Sequence, residues 1–153
     1  MPRTTKKREA APKNPTHILF IAGFGPIVRD GDSSKNLYAK SLGIPFEEEA
    51  GGYLHTDKLP GARHFALWPL SQAAASCFGT DRWPKEVPVP QAWVEFDVED
   101  IRAATADLES KGYRLVVRAR EEPWGQTVTR LLSPEGLLVG LTVTPWMRGK
   151  NPS

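Results

Sequence analysis

Two short segments of alternating residues, one in each half of the chain, carry the side chains best suited to chemistry. In the first half, His64 and Trp68 are four residues apart, so a strand places both on one face. In the second half, Trp93, Glu95 and Asp97 alternate with apolar residues and therefore also share a face. Indole rings offer large flat contact areas and carboxylates offer charge, so these residues suit the binding of a planar or cationic organic molecule.

Three more residues are candidates for the same surface. Trp124 and Gln126 belong to Pro123-Trp124-Gly125-Gln126, a turn in which the glycine permits the bend. Tyr53 lies in a short extended segment whose end reaches the mouth of the predicted site. The predicted ligand-binding set is Trp93, Trp68, Glu95, His64, Trp124, Gln126 and Tyr53.

Each of these residues also has a purely structural interpretation. Trp68 and Trp93 can fill the core, and Trp124 can cover a strand end. His64 can be a hydrogen-bonded strand residue instead of a base, and Glu95 can point into water. The sequence assigns a catalytic role to none of them.

The patterns of several common catalytic and metal-binding sites are missing from the sequence. It has no glycine-rich phosphate loop and no Gly-x-Ser-x-Gly nucleophile elbow. Its one cysteine, Cys77, excludes an internal disulfide and a cysteine-rich zinc site, and it fits a reducing compartment. We therefore expect a cytoplasmic protein whose thiol is inert.

Length, composition and charge indicate one globular domain. The chain has 153 residues, of which 40% are hydrophobic. No apolar run approaches the about 20 residues that span a membrane. Residues 1–16 hold five basic side chains and one acidic one, which gives the chain its formal net charge of +2. We expect 1–16 to be a disordered basic tail and 148–153 a second tail, with no binding of nucleic acid or membranes.

The elements that must position the candidate residues occur twice in the same order. In 17–70, an apolar strand leads into an acidic turn, a helix that ends near Gly43, and three extended segments. In 91–147, an alternating strand leads into a helix that ends near Gly112, followed by three more strands. The connector, 71–90, contains an alanine-rich helical stretch and then several prolines, which keep the chain extended. This order predicts an α+β protein of two tandem βαβββ modules.

On these elements and on several motifs, the chain resembles the vicinal oxygen chelate superfamily, which includes glyoxalases, extradiol dioxygenases, fosfomycin-resistance enzymes and bleomycin-resistance proteins. The resemblance covers about residues 18–144 by element order. It implies paired βαβββ modules that form an open, cupped mixed sheet, often within a homodimer. The motifs that carry it are Phe96-Asp97-Val98-Glu99-Asp100-Ile101, Gly112-Tyr113, Pro123-Trp124-Gly125-Gln126 and Ser133-Pro134-Glu135-Gly136, where Ser133 stands in place of the more usual Asp.

The resemblance also implies where a metal ion would lie. Metal-dependent members place His, Glu or Gln on the inward face of the first and last strands of each module. The matching positions here are Gly23, Ala66, Trp93 and Gly140, none of which can ligate an ion, although His64 lies two residues before Ala66. We therefore expect no metal cofactor.

The interpretation that follows is a metal-independent protein of the glyoxalase/bleomycin-resistance type. It holds an aromatic or cationic small molecule in the cup between its modules, and the resemblance to this drug-binding branch suggests a homodimer. One alternative is a metal-dependent lyase or dioxygenase with an atypical ligand set drawn from His64, Glu95 and another carboxylate. The other is a protein-contact module whose cup is packed shut by its own side chains.

Overall fold

Two antiparallel strands, β1 (Ile18–Val28) and β5 (Ala92–Val98), lie at the centre of the fold, with Gly25 opposite Trp93. The computed structural model describes residues 16–148. The other strands are β2 (Glu47–Glu49), β3 (Tyr53–Thr56), β4 (Phe65–Pro69), β6 (Val117–Glu121), β7 (Thr127–Leu132) and β8 (Leu138–Val143). The helices are α1 (Gly31–Lys35), continued by a π-helical turn (Asn36–Ser41), α2 (Leu70–Phe78), α3 (Ile101–Ser110) and α4 (Pro145–Arg148), with a 3-10 turn at Ala50–Gly52.

All eight strands form one mixed sheet in the order β2-β3-β4-β1-β5-β8-β7-β6. Strand β4 is parallel to β1 and β8 is parallel to β5, whereas every other neighbouring pair is antiparallel. The order is therefore symmetric about the boundary between β1 and β5. From the centre of the sheet outwards, each half contributes its first, fourth, third and second strands. This arrangement confirms the predicted α+β architecture of two βαβββ modules.

Acidic side chains begin the first helix of each module, as the sequence predicts. The carboxylate of Asp30 accepts a hydrogen bond from the backbone N–H of Ser33 at 3.1 Å, and Asp100 accepts two from the first turn of α3. Gly43 and Gly112 follow the two helical segments with φ of 71° and 87°. Other L-residues rarely adopt this left-handed conformation, so glycine ends both helices.

The alternation of β5 separates its side chains onto the two faces of the sheet. Phe96 and Val98 pack with Ile101 and Ala104 of α3 on one face. Trp93 belongs to a different cluster on the opposite face. The face that α3 covers is thus apolar, and the candidate residues of β5 lie on the other face.

The predicted connector contributes to the core. Helix α2 buries Ala73, Ala74 and Cys77 and shares a cluster with Trp68 and Trp93. The small alanine side chains let this helix approach the sheet closely, and α2 therefore covers part of the face that α3 leaves open. Burial also raises the pKa of the Cys77 thiol to about 11, which keeps the thiol protonated near neutral pH.

Both predicted tails lie largely outside the described residues. Of the predicted basic tail, only residue 16 is described, and of the predicted second tail only residue 148. Within residues 16–148, no helix is long and apolar enough to cross a membrane.

Candidate functional site

A cavity of about 360 Å³ lies on the face of the sheet that α3 does not cover. All seven residues of the predicted ligand-binding set line it, so the structure brings them together around one space. Their role in binding stays a prediction. The lining also includes Ala22, Gly23, Glu49, Ala50, His55, Gln72, Arg130, Thr144, Trp146 and Met147.

The indole of Trp93 lies against β1 and β4 in the centre of this face. Its Nε1 donates a hydrogen bond to the carbonyl oxygen of Ala66 at 3.3 Å, and the side chain is almost fully buried. A Cβ atom at Gly23 would lie only 3.0 Å from the Cη2 atom of Trp93. The absence of a side chain at residue 23 therefore makes room for the indole ring.

The carboxylate of Glu95 is held in a polar network instead of pointing into bulk water. Gln126 Nε2 donates to Glu95 Oε1 at 2.7 Å, and an Arg130 nitrogen donates to Glu95 Oε2 at 3.3 Å. Gln126 Nε2 also reaches Thr142 Oγ1 at 2.8 Å, and its Oε1 accepts from Trp124 Nε1 at 2.7 Å. The network thus links the floor of the cavity to the half-exposed indole at its rim.

Arg130 is absent from the predicted set, yet it is a central charge of the site. Its side chain is only 2% exposed and lies over the ring of Trp68, 5.1 Å from the centroid. It donates to Ser76 Oγ at 2.6 Å and to Glu122 Oε1 at 3.2 Å, in addition to Glu95. One guanidinium is therefore shared between two carboxylates that are themselves mostly buried.

The second carboxylate, Glu122, is ionised because its partners outweigh its burial. Burial raises the pKa of Glu122, but hydrogen bonds from Ser76 and Arg120 and the charge of Arg130 bring it below its ordinary value. The sequence around Glu122 gives little indication that it belongs to the site, since a glutamate next to a turn is usually solvent-exposed.

His64 and Tyr53 form a hydrogen-bonded pair on the opposite wall. Tyr53 Oη and His64 Nε2 are 2.7 Å apart, and the rings of Tyr53, His55 and His64 stack at angles of 23° to 24°. Burial raises the pKa of Tyr53, and burial together with the nearby His55 lowers the pKa of His64. The phenol therefore stays protonated beside a neutral imidazole, and the histidine tautomer decides which of the two groups donates the hydrogen bond.

The lowered pKa of His64 predicts a loss of stability in acid. The unfolded chain binds a proton at a higher pH than the folded chain, so the free energy of unfolding falls as the pH drops below about 7, by at most about 1.4 kcal/mol per pH unit. Chemical denaturation at a series of pH values below about 7 should show a shallower fall of the unfolding free energy in His64→Gln than in the wild type. Equal slopes in the two proteins would show that His64 is not the group responsible.

Asp97, which the sequence places on the same face as Trp93 and Glu95, does not reach the cavity. It is fully buried, and its Oδ2 accepts hydrogen bonds from the backbone N–H of Thr144 at 2.9 Å and from the Thr144 hydroxyl. Its Oδ1 pairs with the guanidinium of Arg148. The expectation that Asp97 supplies charge to a ligand is therefore wrong, because Thr144 and Arg148 pair with its buried carboxylate.

The residues at the four positions where the resemblance implies a metal ion do not fit one. Gly23 and Ala66 offer no donor side chain, and the indole of Trp93 occupies the space above Gly23. At the fourth position, Gly140, a Cβ atom would lie 2.8 Å from Cγ of Glu95. Nowhere in residues 16–148 do three or more His, Cys, Asp or Glu side chains form a group able to hold a metal ion.

Comparisons with known proteins agree with this fold. The sequence model of the Glyoxalase/Bleomycin resistance protein/Dioxygenase superfamily matches residues 15–141. A superfamily member from Vibrio splendidus 12B01 superposes with a TM-score of 0.54 at 15% identity, over 79% of this chain and 96% of that one. A Streptomyces coelicolor methylmalonyl-CoA epimerase variant in complex with 2-nitronate-propionyl-CoA gives 0.52 at 19%, over 84% and 99%. No curated protein matches the chain significantly in sequence.

Proposed function

Because the chain belongs to the Glyoxalase/Bleomycin resistance protein/Dioxygenase superfamily, we propose that it binds a small aromatic or cationic organic molecule, without a metal ion, in the cavity between its modules. The observation that carries the proposal is the lining of that cavity. Aromatic rings and a carboxylate network stand around it, and the positions suited to metal ligands hold glycine, alanine and tryptophan.

The shape of the cavity supports a flat, drug-sized ligand. Its volume of about 360 Å³ lies in the range of small-molecule pockets. Tyr53, Trp68 and Trp93 supply buried or half-buried ring surface, and Trp124 and Trp146 stay about half exposed. Rings that keep exposed faces are available to stack on a ligand.

The charges of the cavity support a ligand with a donor group or positive charge. Glu95 and Arg130 line the cavity, and Glu122, which does not line it, pairs with the same buried guanidinium, so two carboxylates balance one positive charge. Within the described chain, each oxygen of Glu95 accepts one hydrogen bond. A carboxylate oxygen can accept more than one, so Glu95 keeps acceptor capacity for a ligand.

The two alternatives have less support. A metal-dependent lyase or dioxygenase based on His64 and Glu95 needs a third ligand, and no group of three such side chains forms within residues 16–148. A protein-contact module would have its cup filled by its own side chains, whereas this cavity is open.

A fluorescence titration with proflavine, a planar aromatic cation, tests the proposal. Trp124→Ala removes an exposed stacking ring, so we expect the Kd of the probe to rise about three- to tenfold. Tyr113→Ala is the matched control, because Tyr113 is 54% exposed, close to the 53% of Trp124, but does not line the cavity. Absence of proflavine binding, or equal losses in both variants, would refute the proposed site.

We also propose that the protein forms a homodimer through the first half of β1. Ile18, Leu19, Ile21 and Phe24 are 40–51% exposed, and β4 pairs with β1 only from Phe24 onwards. A cluster of exposed apolar side chains on a strand favours association. Sedimentation equilibrium should give a dimer for the wild type and a monomer for Ile21→Lys; a wild-type monomer would contradict this.

A further inference from the structure

The last helical turn, α4, forms part of the cavity wall although little holds it there. All four of its residues stay at least partly exposed, and two of them, Trp146 and Met147, line the cavity. A single turn has almost no helical stability of its own, since its nucleation cost is not recovered by further hydrogen bonds. Its position therefore depends on contacts with the rest of the fold.

One partly buried ion pair provides such a contact. Arg148 donates from Nε to Asp97 Oδ1 at 2.8 Å and from a terminal nitrogen to the same oxygen at 2.5 Å. The same terminal nitrogen also donates to the carbonyl oxygen of Val98. Because Asp97 is fully buried, its charge needs partners, and this requirement favours the conformation in which Arg148 lies against β5.

We infer that Arg148 is a positioning residue that fixes Trp146 and Met147 against the cavity and so sets how long a bound molecule stays. Arg148 itself does not line the cavity, whereas Trp146 and Met147, which precede it in α4, do. The inference rests on the proposed function, because retention has a meaning only for a cavity that binds a ligand. It adds that α4 is a wall of the site, with an indole and a flexible thioether that can adapt to an apolar ring.

The fold should survive the loss of Arg148. Asp97 would keep the backbone N–H and the hydroxyl of Thr144 as partners. Arg148→Gln retains hydrogen-bonding capacity without the charge, whereas Arg148→Lys retains the charge. The matched control is Arg118→Gln, since Arg118 is an exposed arginine that pairs with Glu109 away from the cavity.

The first measurement needs no ligand. In protein labelled with fluorotryptophan, the ¹⁹F signal of Trp146, assigned with Trp146→Phe, should shift towards the solvent-exposed position in Arg148→Gln. The signals of Trp68, Trp93 and Trp83 should not move, and Arg148→Lys should restore most of the wild-type signal. An unchanged Trp146 signal in Arg148→Gln would overturn the inference.

The second measurement is the dissociation rate of proflavine by stopped flow. We expect Arg148→Gln to raise this rate about tenfold with little change in the association rate, and Arg118→Gln to leave it unchanged. Adding Arg148→Gln to Trp146→Ala/Met147→Ala should have no further effect, because the wall is already lost. A full tenfold effect in that background would overturn the inference. If wild-type protein does not bind proflavine, the proposed function fails, and the ¹⁹F signal still decides whether Arg148 positions Trp146.

Discussion

Arg130→Met is expected to lower the free energy of unfolding by about 3–5 kcal/mol. The substitution keeps an apolar stem of similar length but leaves Glu95 and Glu122 without their shared guanidinium, at side-chain exposures of only 12% and 7%. The variant also loses the contact of the guanidinium with the ring of Trp68. Urea denaturation of the purified proteins measures the difference.

An exposed arginine on the same carboxylate is the matched control. Arg120 donates to Glu122 Oε1 at 3.1 Å but is 42% exposed, so Arg120→Met should cost less than about 1 kcal/mol. The triple variant Arg130→Met/Glu95→Gln/Glu122→Gln also removes the charges of the two carboxylates that have lost Arg130. It should therefore recover much of the lost stability. A loss under 1 kcal/mol in Arg130→Met, or no recovery in the triple variant, would show that unpaired buried charge is not the cause.

Gly25→Ala is expected to cost about 3 kcal/mol or more, which for a chain of this size threatens folding itself. A Cβ atom at residue 25 would lie 1.9 Å from the carbonyl oxygen of Ala66, so β1 and β4 would have to separate. The same oxygen accepts the hydrogen bond from the Trp93 indole. The expected result is therefore a lower melting temperature together with a change in tryptophan emission.

Gly31→Ala in α1 provides the comparison for that substitution. No atom lies within 4 Å of a Cβ built on Gly31, and alanine favours helix by about 1 kcal/mol over glycine, so this variant should be as stable as the wild type or slightly more stable. Thermal unfolding followed by circular dichroism measures both variants. Equal stability of Gly25→Ala and Gly31→Ala would contradict the close approach of β1 to β4.

The features that the sequence predicts well are those set by local periodicity. The alternation along β5 predicts which face Trp93 takes and which face Phe96 takes, because successive strand residues point in opposite directions. Since the modules repeat, β4 and β5 lie on either side of β1, and residues that face the same way on them meet. Trp68 of β4 and Trp93 and Glu95 of β5 therefore line one cavity.

The features that local periodicity does not predict depend on distant partners. Arg130 lies on a strand face by alternation, but an arginine there is normally expected in water; its burial requires Glu95 and Glu122, 35 and 8 residues away. Asp97 lies on the strand face that carries the cavity but is unavailable to a ligand, because Thr144 and Arg148, 47 and 51 residues later, pair with its carboxylate. Neither pairing has a signature in a single sequence.

Elemental analysis of metal uptake tests most directly whether the cup binds its ligand without a metal ion. The protein is equilibrated with Mn²⁺, Ni²⁺ or Zn²⁺, dialysed, and compared with His64→Gln/Glu95→Gln, which removes the two ligand-type side chains nearest the expected metal position. We expect far less than one ion per chain in both proteins, because glycine and the indole of Trp93 occupy the positions suited to metal ligands. One tightly bound ion per wild-type chain, absent from the double variant, would contradict metal-free binding.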